Sequence, residues 1–239
     1  MTWSILARDG ANGHLGVAIA SRFFSVGALC VHTRRGVGAI STQALMNPLY
    51  GQAGLDLLAQ GRPASDAIAA LVAPDDGREQ RQVHVLPVQG AGAAFTGTEC
   101  IDWCGHLVRD GFSVAGNMLA GPRVIEATAE AFASSTGRDL AERLLDAMDA
   151  GEAAGGDKRG KQSAALRIHA DEDYLALDLR VDDHADPLRE LRRLHGVSLE
   201  RFQPFVSCLP GRGRPSGITD RPTIEATIER FHAARRGNA

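Results

Sequence analysis

Thr2-Trp3-Ser4-Ile5-Leu6-Ala7-Arg8 is predicted to be a β-strand, because apolar, aromatic and β-branched residues favour an extended, half-buried segment. Met1 precedes a small residue, so we expect ordinary removal of the initiator methionine. Removal would leave Thr2 with a free α-amine beside its own hydroxyl, and an N-terminal amine is one of the groups that activate a threonine nucleophile. The alternative is that Thr2 and Ser4 only alternate with apolar residues on a half-buried strand.

The overall composition is typical of a folded globular protein. The chain has 239 residues, of which 44% are hydrophobic and 23% charged, and this length suits one large α/β domain or one domain with a small appendage. A net charge of −3 and an aromatic content of 5% argue against nucleic-acid binding, which favours basic surfaces and stacking platforms. No segment is typical of a transmembrane helix or a secretory signal. We therefore expect a cytoplasmic protein with no membrane partner.

Two groups of strands, each followed by a pair of helices, are predicted from periodicity and turn residues. A last hairpin of two strands follows the second pair of helices. The predicted strands are Thr2–Arg8, Leu15–Ala20, Val26–His32, Val37–Thr42, Arg81–Val88, Ala93–Gly97, Cys104–Val108, Phe112–Gly116, Ser163–His169 and Tyr174–Val181. The predicted helices are Tyr50–Gln60, Pro63–Val72, Gly121–Ala133, Leu140–Ala150, Pro187–His195 and Pro222–Ala234, and Pro204–Gly217 is predicted to be a loop.

This order of elements favours an α+β fold in which helices are layered on antiparallel sheet, because it lacks the strand–helix alternation of a parallel sheet. Two sheets packed face to face, with a helical layer outside each, would bury all four of the helices that follow the strands. Periodicity supports the individual elements but does not by itself select this four-layer arrangement.

The first concentration of polar residues lies where a predicted strand leads into a helix, at Gln43, Asn47 and Tyr50. Amides and backbone N–H groups at such a junction can bind an anion or a carbonyl oxygen. We predict that all three residues bind substrate. The alternative is that Asn47 caps the helix and that Gln43 is solvated.

A second junction of the same kind lies at Gly116–Pro122. Asn117 is the natural donor to an oxyanion if the reaction passes through an acyl intermediate, because side-chain amides serve that role. We therefore predict a catalytic role for Asn117, with Gln43 as a further donor. The alternative is that Asn117 is a helix cap or a left-handed turn residue.

The third concentration is the loop Gly155–Ser163, which is rich in glycine and charge and runs directly into a predicted strand. Asp157 could polarise a nucleophile or orient the substrate, and we predict a catalytic role for it. Arg159 and Gln162 are predicted to bind substrate. The alternative is an ordinary solvated loop.

Two clusters of potential metal ligands are better explained without a metal. The cluster Cys100–His106 has no second ligand pair at zinc-site spacing, so its cysteines are predicted to be structural thiols. The cluster Asp182–Asp186 holds ligands that are too close in sequence to face one ion together. We predict no metal and no cofactor, with a metal hydrolase that uses Asp182, His184 and Asp186 as a minor alternative.

Seven segments of the chain, in order, carry a resemblance to a known family. They are Thr2–Asp9, Ala20–Gly27, Ser41–Ala44, Asn47–Pro48, Tyr50–Gly51, Gly116–Pro122 and Gly155–Ala165. Together they resemble the bacterial and archaeal family called domain of unknown function 1028, over nearly the whole chain to about Leu194. Members of that family are similar to N-terminal-nucleophile hydrolases, so the resemblance implies a four-layer αββα sandwich of two antiparallel sheets.

The resemblance also implies a reaction. In N-terminal-nucleophile hydrolases, the first residue of the first strand attacks an amide, and its α-amine takes the proton. This role maps onto Thr2, with Ser4 on the same face of the strand as a neighbour or substitute nucleophile. The predicted function is hydrolysis of a small or peptide-like amide. The alternative is a non-catalytic ligand-binding protein on a hydrolase-like scaffold, in which Thr2 is structural.

The predicted organisation is a hydrolase-like αββα domain over residues 1–195 and a C-terminal extension with one helix over residues 196–239. Apolar loops on an exposed sandwich favour self-association, so we expect a homodimer or a higher homo-oligomer. The other expected partner is a small-molecule or peptide-like substrate.

Overall fold

The protein is described by a computed structural model that covers residues 2–237. Within these residues, ten strands form two antiparallel sheets, a larger one of six strands and a smaller one of four. The strands are β1 (Thr2–Arg8), β2 (Leu15–Ser21), β3 (Val31–Arg34), β4 (Gly38–Ala44), β5 (Arg81–Pro87), β6 (Ala93–Thr96), β7 (Gly105–Arg109), β8 (Phe112–Asn117), β9 (Ser163–His169) and β10 (Leu177–Val181). The α-helices are α1 (Val26–Leu29), α2 (Leu49–Ala59), α3 (Ala64–Val72), α4 (Arg123–Ser134), α5 (Leu140–Ala153), α6 (Pro187–Glu200), α7 (Phe202–Val206) and α8 (Arg221–Gly237).

Strand β1 lies in the interior of the larger sheet. The strand order is β10-β9-β2-β1-β8-β7 in the larger sheet and β3-β4-β5-β6 in the smaller one. Thr2, at the start of β1, is opposite Ser21 of β2 on one side and Asn117 of β8 on the other. Every side chain from Trp3 to Ala7 is 0% exposed, because both faces of the strand are covered.

The sheets and helices form four layers, which confirms the predicted αββα arrangement. Helices α4 and α5 pack on the outer face of the larger sheet, and α2 and α3 pack on the outer face of the smaller one. The inner faces meet where β1, β2 and β8 contact β4 and β5. Successive residues of β1 therefore face opposite layers: Trp3 faces the helices, and Ser4 faces the smaller sheet.

The chain divides into two compact units, one ending at Leu191 and the other beginning at Arg192. Helix α6 runs through this division. In the second unit, an ion pair between Arg201 and Glu225 and a hydrogen bond from His232 to the carbonyl of Glu200 link α8 to the residues before α7. The predicted division after residue 195 stays a prediction.

Two predicted elements are wrong. The sequence predicts one strand over Val26–His32, but the structure begins with α1 and starts β3 at Val31. The Ser163 hydroxyl accepts the N–H of Val26 at 3.0 Å and donates to the carbonyl of Phe23, which fixes a turn that local periodicity cannot reveal. Helix α7 occupies the start of the predicted loop Pro204–Gly217.

Over residues 2–237, no helix is both long enough and apolar enough to cross a membrane.

Candidate active site

Thr2 lies at the end of the sandwich where three strand ends converge. Its Oγ1 is 3.0 Å from the Oγ of Ser21, and either hydroxyl can be the donor. Thr2 is 6% exposed and Asn117, on its other side, is 2% exposed, whereas Ser21 is fully buried. The Thr2 side chain therefore sits in a nearly closed polar environment between β2 and β8.

Backbone strain is concentrated near this end of the molecule. Ser25, Ala44 and Met118 have φ angles of 54°, 67° and 54°, in the left-handed region that non-glycine residues rarely adopt. Ala44 ends β4 and Met118 follows β8 directly. Each such residue costs about 1–2 kcal/mol, so the surrounding contacts must hold these loops in place. Strain of this kind is often found at functional sites.

Ser4 faces the smaller sheet and is fully buried. Its Oγ donates to Gln43 Oε1 at 2.7 Å and lies 2.8 Å from His84 Nε2. Because the hydroxyl has one hydrogen and gives it to Gln43, His84 must donate from Nε2 to Ser4. The proposed role of Ser4 as a substitute nucleophile stays a prediction, and it would require the sheets to open.

His84 completes this end of the network. Its Nδ1 lies 3.0 Å from the hydroxyl of Ser113, which donates because Nε2 already carries the single hydrogen of the neutral ring. Burial, with a smaller contribution from His106, lowers the pKa of His84 to about 3. The ring is therefore neutral near pH 7.

Three side-chain amides continue the network towards Thr2, and we refer to Gln43, Gln82 and Asn117 as the amide relay. Gln43 Nε2 donates to Gln82 Oε1 at 2.7 Å, and Asn117 Nδ2 donates to the same oxygen at 3.0 Å. Gln82 Nε2 donates to the carbonyl of Gly116 at 2.8 Å and to the carbonyl of Gly105 at 3.0 Å. The relay joins the two sheets, and it holds Asn117 with its nitrogen towards Gln82.

Gln82 and His84 are site residues that sequence reasoning missed. Both lie on β5, which the sequence shows as an alternating strand with Gln82, His84 and Leu86 on one side. Both side chains are fully buried. In the sequence, β5 has polar residues on one side and valines on the other, which is typical of a strand with one solvated face. The fold shows that both faces of β5 are covered, so Gln82 and His84 are inside the protein.

Gln43 is fully buried, so the alternative of a solvated side chain is wrong. Its oxygen accepts from Ser4 and its nitrogen donates to Gln82, so both functional ends are engaged inside the protein. The predicted contact of Gln43 with substrate stays a prediction.

The loop around Asp157 clamps the strand ends on either side of Thr2. The Asp157 carboxylate, which is buried, accepts the backbone N–H of Arg22 at 3.1 Å and that of Arg159 at 2.8 Å. Its backbone pairs with Leu119, just after β8. Because Arg22 directly follows β2, Asp157 ties the end of β2 to the end of β8.

Arg159 and Gln162 lie on the same loop but point to different partners. Arg159 Nη2 is 3.5 Å from Asp157 Oδ2, and its side chain is 43% exposed. The backbone N–H of Gln162 donates to the carbonyl of Ser21 at 2.8 Å, whereas its side chain donates to Asp183 at 3.0 Å. The substrate-binding roles of Arg159 and Gln162 stay predictions.

Asn47 and Tyr50 form a separate cluster around Asp75, on the helical side of the smaller sheet. The Asp75 carboxylate accepts from Tyr50 Oη at 2.6 Å, from Arg81 Nε at 3.1 Å and from Asn47 Nδ2 at 3.3 Å. Burial and the bond to Asp75 raise the pKa of Tyr50, and the bonds from Tyr50 and Arg81 lower the pKa of Asp75.

This cluster also borders an open cavity of about 450 Å³. Asn47 Oδ1 accepts the N–H of Leu49, the first residue of α2, at 3.1 Å, which is the local bond of an Asx-turn. The structure therefore does not bring Asn47 and Tyr50 into the network that contains Ser4, Gln43 and Asn117. Their predicted roles in substrate binding are not tested by this arrangement.

The potential metal ligands have other partners. Asp182 is paired with Arg180 at 2.8 Å and accepts from Ser25 Oγ at 2.8 Å, while His184 Nδ1 accepts the N–H of Asp186 at 2.9 Å. Among residues 2–237, no three histidine, cysteine, aspartate or glutamate side chains are grouped so as to hold a metal ion. Burial raises the pKa of the Cys100 thiol to about 11, which keeps it protonated and poorly nucleophilic.

Comparisons with known proteins agree with this fold. The model of a family of unknown function (DUF1028) matches residues 2–191. A crystal structure of a Silicibacter pomeroyi protein assigned to the same family model aligns with a TM-score of 0.85 and 30% sequence identity, over 92% of this chain and 96% of that chain. An ancestral β-subunit (Anbu) from Yersinia bercovieri aligns over 82% of this chain and 94% of that chain, but its TM-score of 0.39 and identity of 12% are too low to support an inference. No curated protein matches the chain.

Proposed function

We propose that this chain, which belongs to the DUF1028 family of unknown function, is an amide-bond hydrolase of the N-terminal-nucleophile type that acts on a small or peptide-like amide. The observation that carries the proposal is the position of Thr2. It is the first residue of an interior strand, its hydroxyl is 3.0 Å from that of Ser21, and its strand neighbour on the other side is Asn117. The Thr2 side chain thus lies between Ser21 and Asn117, at one end of the two packed sheets.

The proposed reaction begins after Met1 has been removed. The Thr2 Oγ attacks the carbonyl carbon of the amide, and its proton passes to the free α-amine of the same residue. The tetrahedral intermediate collapses as the C–N bond breaks, and the leaving amine takes the proton. Water then hydrolyses the resulting ester and restores the hydroxyl, with the α-amine again accepting and returning the proton.

Asn117 is the residue proposed to stabilise the oxyanion. One hydrogen of its Nδ2 is donated to Gln82, which leaves the second hydrogen for the negative oxygen of the intermediate. Removing a single donor of this kind typically slows an enzyme by roughly 10²–10³-fold. Gln43 and Gln82 then act by holding the amide of Asn117 in one orientation.

The first experiment measures the intact mass of the purified full-length protein, which reports whether Met1 has been removed. The second treats the protein with a β-lactone that acylates N-terminal nucleophiles, so that ring opening adds the whole mass of the reagent. We expect labelling of the wild type, loss of labelling in Thr2→Ala, and retention in Thr2→Ser, which keeps a hydroxyl nucleophile. Thr136→Ala, at an exposed threonine, is the matched control and should label like the wild type.

Two results would count against the proposal. Full retention of Met1 would deny Thr2 its free amine, and equal labelling of Thr2→Ala and wild type would place the reactive group elsewhere. A protein that lacks Met1, is folded and is not labelled would favour the alternative of a ligand-binding protein. In that alternative Thr2 is structural, and its pairing with Ser21 and Asn117 serves only to order the strand ends.

A further inference from the structure

We propose that Arg22 and Arg159 together form a carboxylate-binding site beside Thr2, so that the substrate is an amide that also carries a carboxylate. The inference rests on the proposed role of Thr2 as nucleophile, because it assigns a substrate class to the same site. Arg22 is the new residue in this assignment.

The backbone places Arg22 next to the nucleophile. Ser21 is the strand partner of Thr2, and Arg22 is the next residue along the chain. Neighbouring strands are about 5 Å apart and successive residues about 3.3 Å apart, so the Arg22 backbone lies close to Thr2. The backbone N–H of Arg22 donates to Asp157 Oδ2 at 3.1 Å, and this hydrogen bond holds the Arg22 backbone in place.

The side chain of Arg22 contacts the backbone of Arg159. Arg22 Nη1 donates to the carbonyl of Arg159 at 3.0 Å, so the guanidinium of Arg22 lies against the backbone of the Asp157 loop. Gly160, the residue after Arg159, has a φ of +89°. A Cβ on Gly160 would lie 3.3 Å from Arg22 Nη1. A glycine here therefore allows both the turn of the loop and the close approach of the guanidinium.

The positive charge of Arg22 is not neutralised by a carboxylate within residues 2–237. Its side-chain hydrogen bond there is the one to the Arg159 carbonyl, and Arg22 is exposed. The nearby acid, Asp157, is buried and is already engaged by two backbone N–H groups and, at 3.5 Å, by Arg159. The site therefore presents more positive charge than its own acid offsets.

The other cations of the loop have different roles. Lys158 Nζ donates to the carbonyl of Asp102 at 2.6 Å, and Lys161 is paired with Glu152 and, at 3.3 Å, with Asp186. Within the described part of the loop region, Lys158 and Arg22 are both exposed and have no carboxylate partner, and of these two Arg22 carries a guanidinium. Its planar arrangement of donors matches a carboxylate with two parallel hydrogen bonds, which an ammonium group cannot reproduce.

The test measures binding by the full-length Thr2→Ala protein, which cannot form an acyl intermediate. N-benzoylglycine, an aromatic amide with a carboxylate, is titrated while the Nε–Hε resonances of the arginines are followed by NMR. N-benzoylglycinamide, in which an amide replaces the carboxylate, is titrated in parallel. The aromatic group is chosen because Phe23 and Phe24, directly after Arg22, are 49% and 61% exposed.

We expect a saturable shift of the Arg22 resonance with N-benzoylglycine and binding of the glycinamide that is weaker by roughly tenfold or more. Arg22→Gln and Arg159→Gln should each weaken binding of the carboxylate by a similar factor, whereas Arg22→Lys should recover part of it. Arg123→Gln is the matched control, since Arg123 is an exposed arginine of α4 paired with Glu126 and Glu130.

Equal affinity for the two ligands, unchanged binding in Arg22→Gln, or no saturable shift up to the solubility limit would overturn the inference. These outcomes are separable from failure of the proposed hydrolase function, because the variant used for binding lacks the Thr2 hydroxyl on which that function depends. If the β-lactone labels Thr2 but the two benzoyl ligands bind equally well, the protein is a hydrolase whose substrates are amides of another class. Carboxylate selectivity without labelling would leave a binding protein for carboxylates.

Discussion

His84 shows how the environment of a single residue can set the direction of a whole network. Because burial keeps the ring neutral, it carries one hydrogen, and the hydroxyl of Ser4 assigns that hydrogen to Nε2. The hydrogen of Ser4 then points to Gln43, and the nitrogen of Gln43 points to Gln82. If His84 were charged, both of its ring nitrogens would be donors. The Ser113 hydroxyl would then have to accept a hydrogen from Nδ1 instead of donating its own hydrogen to it.

The pH dependence of stability should reveal this histidine. The folded-state pKa of about 3 lies below the ordinary value of 6.5, so between these values the unfolded chain holds a proton that the folded protein lacks. The free energy of unfolding should therefore fall as the pH falls through this range, with a contribution from His84 of about 1.4 kcal/mol per pH unit. Above pH 6.5 the contribution of His84 to stability is fully present.

We expect His84→Gln to lower stability at pH 8, through lost hydrogen bonds, and to flatten the decline in stability between about pH 6 and pH 4. Urea unfolding at several pH values measures both effects. His184→Gln, at an exposed histidine, is the control for the loss of an imidazole side chain. Parallel pH profiles for His84→Gln and the wild type would contradict the prediction.

At the scale of secondary-structure elements, Gln82 joins β5 to the larger sheet. Gln82→Met keeps most of the side-chain volume but removes the acceptor for Gln43 and Asn117 and the donor to two backbone carbonyls. Each buried group left without a partner costs about 1–3 kcal/mol, so we expect a loss of more than about 2 kcal/mol in the free energy of unfolding.

Urea unfolding of Gln82→Met measures this loss. Gln80→Met is the matched control, because Gln80 is exposed and its amide donates to Glu99 at the surface. The control should change stability by no more than about 0.5 kcal/mol. Similar losses for the two variants would show that the amide relay contributes little to the joining of the sheets.

Helix α5 approaches β1 closely at Gly151. A Cβ at this position would lie 2.3 Å from Thr128 Oγ1 of α4 and 3.0 Å from Trp3 Nε1 of β1, so a methyl group requires these side chains or α5 to shift. We expect Gly151→Ala to destabilise the protein by about 1–3 kcal/mol. Addition of Thr128→Ala should restore part of this loss, and a double-mutant cycle by urea unfolding measures the coupling.

Gly196→Ala is the control for this prediction. Gly196 lies within α6, and a Cβ there would have no atom within 4 Å. Alanine should then stabilise the helix by up to about 1 kcal/mol. Equal effects at the two glycines would mean that close packing at Gly151 is not the cause.

The elements themselves were largely predictable from sequence, because apolar periodicity and turn residues are local signals. The hairpin of β1 and β2 around Asp9–Gly13 is confirmed by the pairing of Arg8 with Leu15. The start of α1 was not predictable, since it depends on a hydroxyl of Ser163 that lies far along the chain.

The candidate site was predictable only in part, for the same reason. Asn117 and Gln43 stand out at strand ends, where polar residues interrupt an apolar pattern. The contact between Ser4 and His84 joins residues 80 positions apart, and no spacing in the sequence indicates it. Nor does the sequence reveal that Asn47 and Tyr50 turn towards Asp75.

At the scale of the whole molecule, the four-layer unit should fold without the residues that follow α6. The compact unit that ends at Leu191 contains both sheets, and Leu191 itself is 0% exposed. We expect a chain truncated after Glu200 to unfold cooperatively in urea and to keep the circular-dichroism spectrum of a mixed α+β fold. A truncated chain without a cooperative transition would contradict this expectation.

The interior position of β1 has a consequence for how the protein is made. β1 is synthesised first, but its neighbour β8 begins only at Phe112. At about 5–20 residues per second, the ribosome needs roughly 5–20 s to supply the strand that closes over Thr2. The removal of Met1 that the proposed function requires would fall within this interval, while the growing chain still leaves its first residues open to a processing enzyme.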